Sequence, residues 1–359
     1  KLYLKKKYAT SGGRLNTFIF FTHLAVKLMH DDGVLSYIIP NTILTQDYYK
    51  DTRAFLLSQA EILEILSFEG LQFENAIVEN ITIIAKKSKK EDYKISHKLF
   101  NGVVGIENAI KYKSDLKKNR NYSFNFLSDS LSEKLKLNSI KLSEICNINQ
   151  AIALKGDKNL SVKTDNSNGQ FVKLLDGRNI NKYSISWSGN YLDYNLERIH
   201  SCKTKTIFEV DAKIMFRRVS ANLIFSYDEE QYYALNTIVV VTSKGNMKYP
   251  LKFLLGVLNS SLINYFYVTN YKSTKTVFSE IQARSVGELP IAQADIMQEK
   301  KIISLVDCIL SAKREDPQAD TSVEERKIDF LVYKLYDLTY DEIMIVDSQT
   351  PITREEYNK

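Results

Sequence analysis

Within the stretch NYKSTKTVFSEIQARSVGELPI, five consecutive residues, Tyr271, Lys272, Ser273, Thr274 and Lys275, bring an aromatic ring, two ammonium groups and two hydroxyls into one loop. Phosphate oxygens accept hydrogen bonds from such groups, so the set suits contact with a nucleic-acid backbone and entry into a groove. A solvated hairpin has the same composition, and both readings stay open. Other chemistry is poorly served. The histidines His23, His30, His97 and His200 show no metal-ligand spacing, and His23 lies inside an apolar run, where a packed ring is the simpler reading. Cys146, Cys202 and Cys308 are odd in number, far apart and without Cys-x-x-Cys spacing, so neither a disulfide framework nor a zinc site is indicated and a reducing cytoplasm fits. Carboxylates lie among lysines, and no acid/base pair stands out. A Gly-rich dinucleotide loop and a phosphate-cradling Gly-x-x-x-x-Gly-Lys-Ser/Thr are both absent from the sequence.

These groups need a scaffold, and the text supplies two. A chain of 359 residues with 44% hydrophobic residues is long enough for two cores. Its net charge of +6 suits an anionic partner without requiring one. Asn16 is a candidate N-cap for a helix in which Phe18, Phe21, Leu24, Ala25, Leu28 and Met29 recur at helical spacing; with Ile19 and Phe20 also apolar, burial on more than one side is expected. Asp31-Asp32-Gly33 turns the chain into Val34 to Ile39, which reads as a central strand ended by Pro40. A helix from Asp47 to Ser58 and strands at Ile62 to Phe68 and Ile81 to Ala85 follow. Together they make part of an α/β, doubly wound sheet, whose strand ends are the usual place for ligands.

From Lys86 to Arg120 the text is polar and basic, which reads as a connector. The expected division is residues 1–95, a connecting segment 96–138, and a second, α+β domain 139–359. In that domain short β-type runs at 171–174, 184–187, 213–217, 223–227 and 236–242 precede helices at 251–267, 295–314 and 322–336. Thr339-Tyr-Asp-Glu342 is a capping box opening a last helix.

The linked order of several segments carries a resemblance. SGGRLNTFIFF, GVLSYIIPNTILTQDYYKDTR and FENAIVENITIIAKK resemble the later motifs of N6-adenine DNA methyltransferases, those fused into type IIG restriction-modification enzymes. LSEICNINQAIALKGDKNL, LLDGRNINKYSISW, KIMFRRVS, YYALNTIVVV, LLGVLNSSLINYFY and DFLVYKLYDLTYDEI are similar to the target-recognition domain that follows them. The resemblance implies a partial Rossmann-like methyltransferase sheet followed by a DNA specificity domain with C-terminal helices. In that family the S-adenosylmethionine loop and the Asn/Asp-Pro-Pro-aromatic motif precede this block, and none of the five prolines here adjoins another. The chain therefore reads as the C-terminal part of a longer enzyme, without methyl transfer of its own and with no cofactor or metal expected on it.

The resemblance also implies roles for residues. Phe73, in Phe-x-x-x-x-Val before a strand, matches the side chain that packs on the extruded target adenine, where an aromatic face returns stacking energy lost from the duplex. Pro40-Asn41 resembles the strand-end turn that shapes the pocket. Gly12-Gly13-Arg14 is a candidate for a phosphate or the cofactor edge. In the specificity domain, the side chains able to fork to base edges or hold phosphates are Arg178, Lys182, Arg217, Arg218, Asn222, Tyr271, Lys272, Lys275 and Arg284. Arg217 and Arg218 are successive strand residues, so at most one faces DNA directly. Trp187 and Tyr191, Tyr194, Tyr232 and Tyr233 read as packing rather than stacking platforms. Two rival readings remain. One is a specificity subunit that only binds duplex DNA and assembles with separate catalytic chains; the other is a Rossmann-like fragment with an unrelated binding domain.

Overall fold

The structure, a computed structural model, describes residues 2–8, 15–68, 79–100, 102, 104–126, 130–245, 249–271 and 279–358. The chain divides into two units, residues 1–128 with 270–276 and residues 129–269 with 277–359.

The first unit is built on strands β1 (Val34–Pro40), β2 (Glu61–Phe68), β3 (Asn80–Lys86), β4 (Lys94–Phe100) and β5 (Gly105–Tyr112). They form one sheet in the order β1-β3-β2-β4-β5. β1 and β2 are each antiparallel to β3, hence parallel to one another, and the helix Lys50–Gln59 crosses between them. An α/β crossover is thus present with a third strand laid into its middle. β2 also runs parallel to β4, and β5 returns antiparallel.

Helix Thr17–Leu28 (α1) and helix Lys50–Gln59 (α2) contribute Ile19, Val26, Leu56 and Leu57 to a core shared with Ile39, Ile62, Ile65, Ile81, Ile83 and Ile95 from the sheet. The buried side of α1 is Phe18, Ile19, Phe20, Thr22, His23 and Val26. The expected register through Phe21, Leu24 and Leu28 is corrected: these three are exposed, because the three-to-four spacing that brings Ile19 and Val26 inward turns them away. Phe18, Ile19 and Phe20 are nonetheless buried in succession, so the start of the helix is covered on more than one side, as expected.

β1 is also corrected from a central to an edge strand. Among the described residues it pairs only with β3, and its outward residues Val34 and Ile38 are 63% and 50% exposed. The segment 96–138 differs from a connector, since most of β4 and all of β5 lie within it. Lysines hid these strands: Ile95 and His97 point into the core while Lys94 and Lys98, alternating with them, stay at the surface.

Arg53 on α2 fixes the turn after β1. Fully buried, it donates to the carbonyls of Ile43 (2.6 Å), Gln46 (2.9 Å) and Asn121 (2.9 Å). Burial draws its guanidinium down to about 10, against the attraction of Asp47, so it remains charged at neutral pH. Asn41, the first residue past the strand, is buried and donates its side-chain amide to Glu79 at 2.5 Å.

The second unit centres on an antiparallel sheet of β6 (Cys146–Gln150), β7 (Lys213–Arg217), β8 (Phe225–Asp228) and β9 (Ile238–Ser243), in the order β8-β7-β9-β6. All four apolar residues Ile238 to Val241 are buried, as expected for a strand covered on both faces. The helices are α3 (Leu251–Leu258), α4 (Ser261–Tyr271), α5 (Ile296–Glu315), α6 (Ser322–Leu335) and α7 (Tyr340–Val346). One helix was expected over 251–267; two are present, bent by 63° at Asn259-Ser260. The cause is local. The Asn259 side chain binds both backbone groups of Phe225 (3.1 and 3.0 Å), and the Ser260 hydroxyl donates to the Val257 carbonyl at 2.6 Å. The capping box of α7 forms as read, Thr339 accepting from the Glu342 amide. No single described helix is long and apolar enough to cross a membrane.

Candidate nucleic-acid interface

The sequence Leu-Leu-Asp-Gly-Arg-Asn builds a turn. Asp176 accepts from the Arg178 amide at 2.9 Å and Asn179 accepts from the Asp176 amide at 2.7 Å, a reciprocal cap that needs no other element. At its tip Arg178 projects with 91% of its side chain exposed, its guanidinium 3.3 Å from the Asp176 carboxylate. Burial works to raise the Asp176 carboxyl, but hydrogen bonds from Arg178, with the charges of Arg178 and Lys158, outweigh it and hold the group below its ordinary value. Arg178 is thus a cation held by its root and available at its end, the form a phosphate or guanine contact needs.

Arg217 sits behind this turn. Its Nε donates to the Gly177 carbonyl at 2.8 Å and its Nη2 to the Ile180 carbonyl at 2.7 Å, while the Thr237 hydroxyl accepts from the Gly177 amide at 2.9 Å. A Cβ on Gly177 would lie 3.1 Å from the Thr237 carbonyl, so the turn is seated close on the sheet. Arg218, one residue on, donates to the Asn236 carbonyl at 3.0 Å and pairs with Glu280. The bridge of Val219-Ser220 to Ser279-Glu280 holds Glu280 beside this cluster. The structure brings Arg178, Arg217 and Arg218 together with that bridge, yet gives them different work. Arg217 and Arg218 use their donors on backbone carbonyls and on Glu280, so both act here as supports, where at most one outward-facing residue was expected. Asp176, Thr237 and Glu280 were missed as supports; the Asp-Gly-x-Asn turn signal could have found the first.

Lys182 lies elsewhere, paired with Glu325 of α6 at 2.6 Å. Asn222 is exposed in the bend following Ser220, and Arg284 is exposed on the short helix Ala283–Gly287. Tyr271 is half-buried at the end of α4. Lys272 and Lys275, with Ser273 and Thr274, lie outside the described residues, as do Phe73 and Gly12-Gly13-Arg14. The aromatic residues pack as read: Trp187 meets Tyr191 edge-on at 5.1 Å, Tyr194 meets Tyr233 at 5.5 Å, and Lys173 stands 5.3 Å above both Trp187 and Tyr232. His23, stacked on Phe55 at 4.0 Å, is likewise a packed ring whose protonation burial disfavours.

Comparison with known proteins gives this arrangement its context. Residues 172–291, which hold the whole of the Arg178–Arg217–Glu280 cluster, match the family model of the TaqI-like C-terminal specificity domain. Residues 1–73 match that of the Eco57I restriction-modification methylase. The resemblance is to restriction-modification enzymes in both units. A protein of Methanocaldococcus jannaschii described as a type II restriction enzyme and methyltransferase is 24% identical over 345 residues, covering 89% of this chain and 28% of its own. Among solved structures, the Type IIL restriction-modification enzyme MmeI in complex with DNA matches with a TM-score of 0.58 at 12% identity, over 94% of this chain and 51% of that one. The Type ISP enzyme LlaGI, in complex with a DNA substrate mimic, matches with a TM-score of 0.53 at 10% identity, over 86% and 32%. These two likenesses are of fold. The chain thus spans about a quarter of the curated relative, and about half and about a third of these two solved chains. The architecture is α/β followed by α+β, the methylase match lying in the first unit and the specificity-domain match in the second.

Proposed function

We propose that this chain is the C-terminal part of an N6-adenine DNA methyltransferase of the type II restriction-modification class, and that its second unit selects the DNA sequence. The observation that carries this reading is the succession, in one chain, of a methylase match and a specificity-domain match. The methylase match also favours it over a specificity subunit working with separate catalytic chains.

In this reading Arg178, Asn222 and Arg284 contact duplex DNA, and the sequence pattern gives Tyr271, Lys272 and Lys275 the same part. Arg217 and Arg218 position the duplex, and Lys182 has a secondary part. Phe73 packs on the flipped adenine. The other partner is the N-terminal portion of the same enzyme. The edge of β1, unpaired among the described residues, supports that, as does the outward sheet face, where Ile38 and Ile110 are 50% and 47% exposed. Such an edge invites further strands and such a face further cover. S-adenosylmethionine supplies the methyl group in the parent enzyme. At the carboxyl end of β1, Asn41 is bonded to Glu79 and Arg53 to three carbonyls, so these residues shape the sheet end and no methyl-donor contact is assigned to them. The parent works in the cytoplasm, and this chain alone does not methylate.

Selection of random duplexes by this chain over a range of salt tests the proposal. An enriched motif containing adenine, with affinity falling linearly in log salt, is the expected result. Binding without sequence preference, or methylation of DNA by this chain alone, would overturn it.

A further inference from the structure

Away from the nucleic-acid interface, α5, α6 and the C-terminal tail enclose a groove of about 870 Å³. Leu305 and Phe330 form part of an apolar floor that continues into Met297 and Val323, which are 63% and 49% exposed. Its rim is cationic, with Lys300 and Lys301 from α5 and Arg326 and Lys327 from α6 against the single carboxylate of Glu356. Arg326 is partly engaged by the Ser322 carbonyl at 3.0 Å, whereas Lys300, Lys301 and Lys327 have no ion-pair partner among the described residues. An exposed apolar surface rimmed by charge of one sign marks a place where another surface docks. A groove between two helices suits an amphipathic helix with carboxylates at its margins.

The chain carries that complement itself. α7 turns Met344 and Ile345 outward, 38% and 58% exposed, between Asp341 and Asp347. It stands beside the groove: Tyr340 on α7 donates to the Ile352 carbonyl at 3.1 Å, Asp341 pairs with Arg354 at 2.5 Å, and Ile352 and Glu356 line the groove wall. An apolar pair between carboxylates, next to an apolar floor ringed by cations, is self-complementary, the property a two-fold interface between identical subunits requires.

We propose that this surface is the interface between two copies of the chain, each laying α7 in the other's groove. It stands independently of the DNA-binding reading. Sedimentation velocity over a dilution series tests it, with circular dichroism confirming that each variant is folded. The wild-type chain is expected to dimerise. Ile345→Asp, and separately the pair Lys301→Glu and Lys327→Glu, should weaken association at least about tenfold, equivalent to about 1.4 kcal/mol. The pair Asp341→Lys and Asp347→Lys should do the same. Mixing the two charge-reversed variants should restore dimers, because both reciprocal contacts are then again of opposite sign. A chain that stays monomeric at every concentration, variants that dimerise as tightly as wild type, or a mixture that fails to recover would overturn the proposal.

Discussion

The Nε of Arg217 donates to the carbonyl of Gly177 at 2.8 Å, so a residue that reads in the sequence as a DNA contact holds the turn that presents Arg178. A guanidinium bonded to two half-buried carbonyls contributes more to folding than an exposed one. Arg217→Ala is expected to lower stability by about 2 kcal/mol in urea titration. Arg178→Ala should change stability by no more than about 0.5 kcal/mol, yet weaken binding across DNA sequences and reduce the salt slope by about 1. Equal losses of stability in the two variants would contradict this division of labour.

Lys213 and Asp228 form an ion pair at 2.5 Å with side chains 0% and 1% exposed, joining the edges of β7 and β8. Burial draws the Lys213 ammonium down while the Asp228 carboxylate opposes it. Asp228 also accepts from the amides of Glu230 (2.8 Å) and Tyr232 (3.1 Å), and Lys213 donates to the Phe208 carbonyl at 2.7 Å. Lys213→Met leaves that carboxylate buried without its cation. A loss of about 3–5 kcal/mol is expected, read as a shift of the urea midpoint at unchanged m-value.

What the sequence showed and hid follows from how far each signal reaches. Strand Lys213–Arg217 and the Thr339–Glu342 cap are written in residues that touch one another along the chain, and both were legible. The inward side of α1 was not, because Phe18, Ile19, Phe20 and Phe21 are all apolar and only the sheet beneath decides which of them is covered. Arg217 and Arg218 show the same limit at the candidate site. Their chemistry was visible, but their partners lie between 18 and 62 residues away in the chain, at Gly177, Asn236 and Glu280, and local spacing does not encode such contacts.

His97 couples the first unit to pH. Its Nε2 lies 2.9 Å from the Ser67 hydroxyl and its ring stacks on Phe126 at 4.8 Å, and burial pushes its ionisation from 6.5 down to about 4. Between those values the unfolded chain binds a proton that the folded chain does not, so stability rises with pH and is lost as pH falls from 6.5 toward 4. The contribution is about 3 kcal/mol across that interval. Denaturant titrations from pH 7 to 4 should therefore show a shallower loss in His97→Gln than in wild type, and parallel curves would remove His97 as the cause.

Gly256 decides how closely α3 and α5 approach. A Cβ at this position would stand 2.6 Å from a methyl of Ile302 and 3.1 Å from one of Val306, both fully or almost fully buried. Those branched side chains on a helix have little rotamer freedom, so they cannot swing aside and the helices must separate. The gain in helix propensity on replacing glycine by alanine, about 1 kcal/mol, is smaller than the cost of overpacking a dense core, about 1–3 kcal/mol. Gly256→Ala is expected to destabilise the second unit on balance. In a double-mutant cycle with Ile302→Ala, which removes the Cγ2 methyl that the new Cβ meets, the double variant should lose less than the sum of the two single losses. If Gly256→Ala raised the melting temperature, the helices would be shown to have room that this packing denies them.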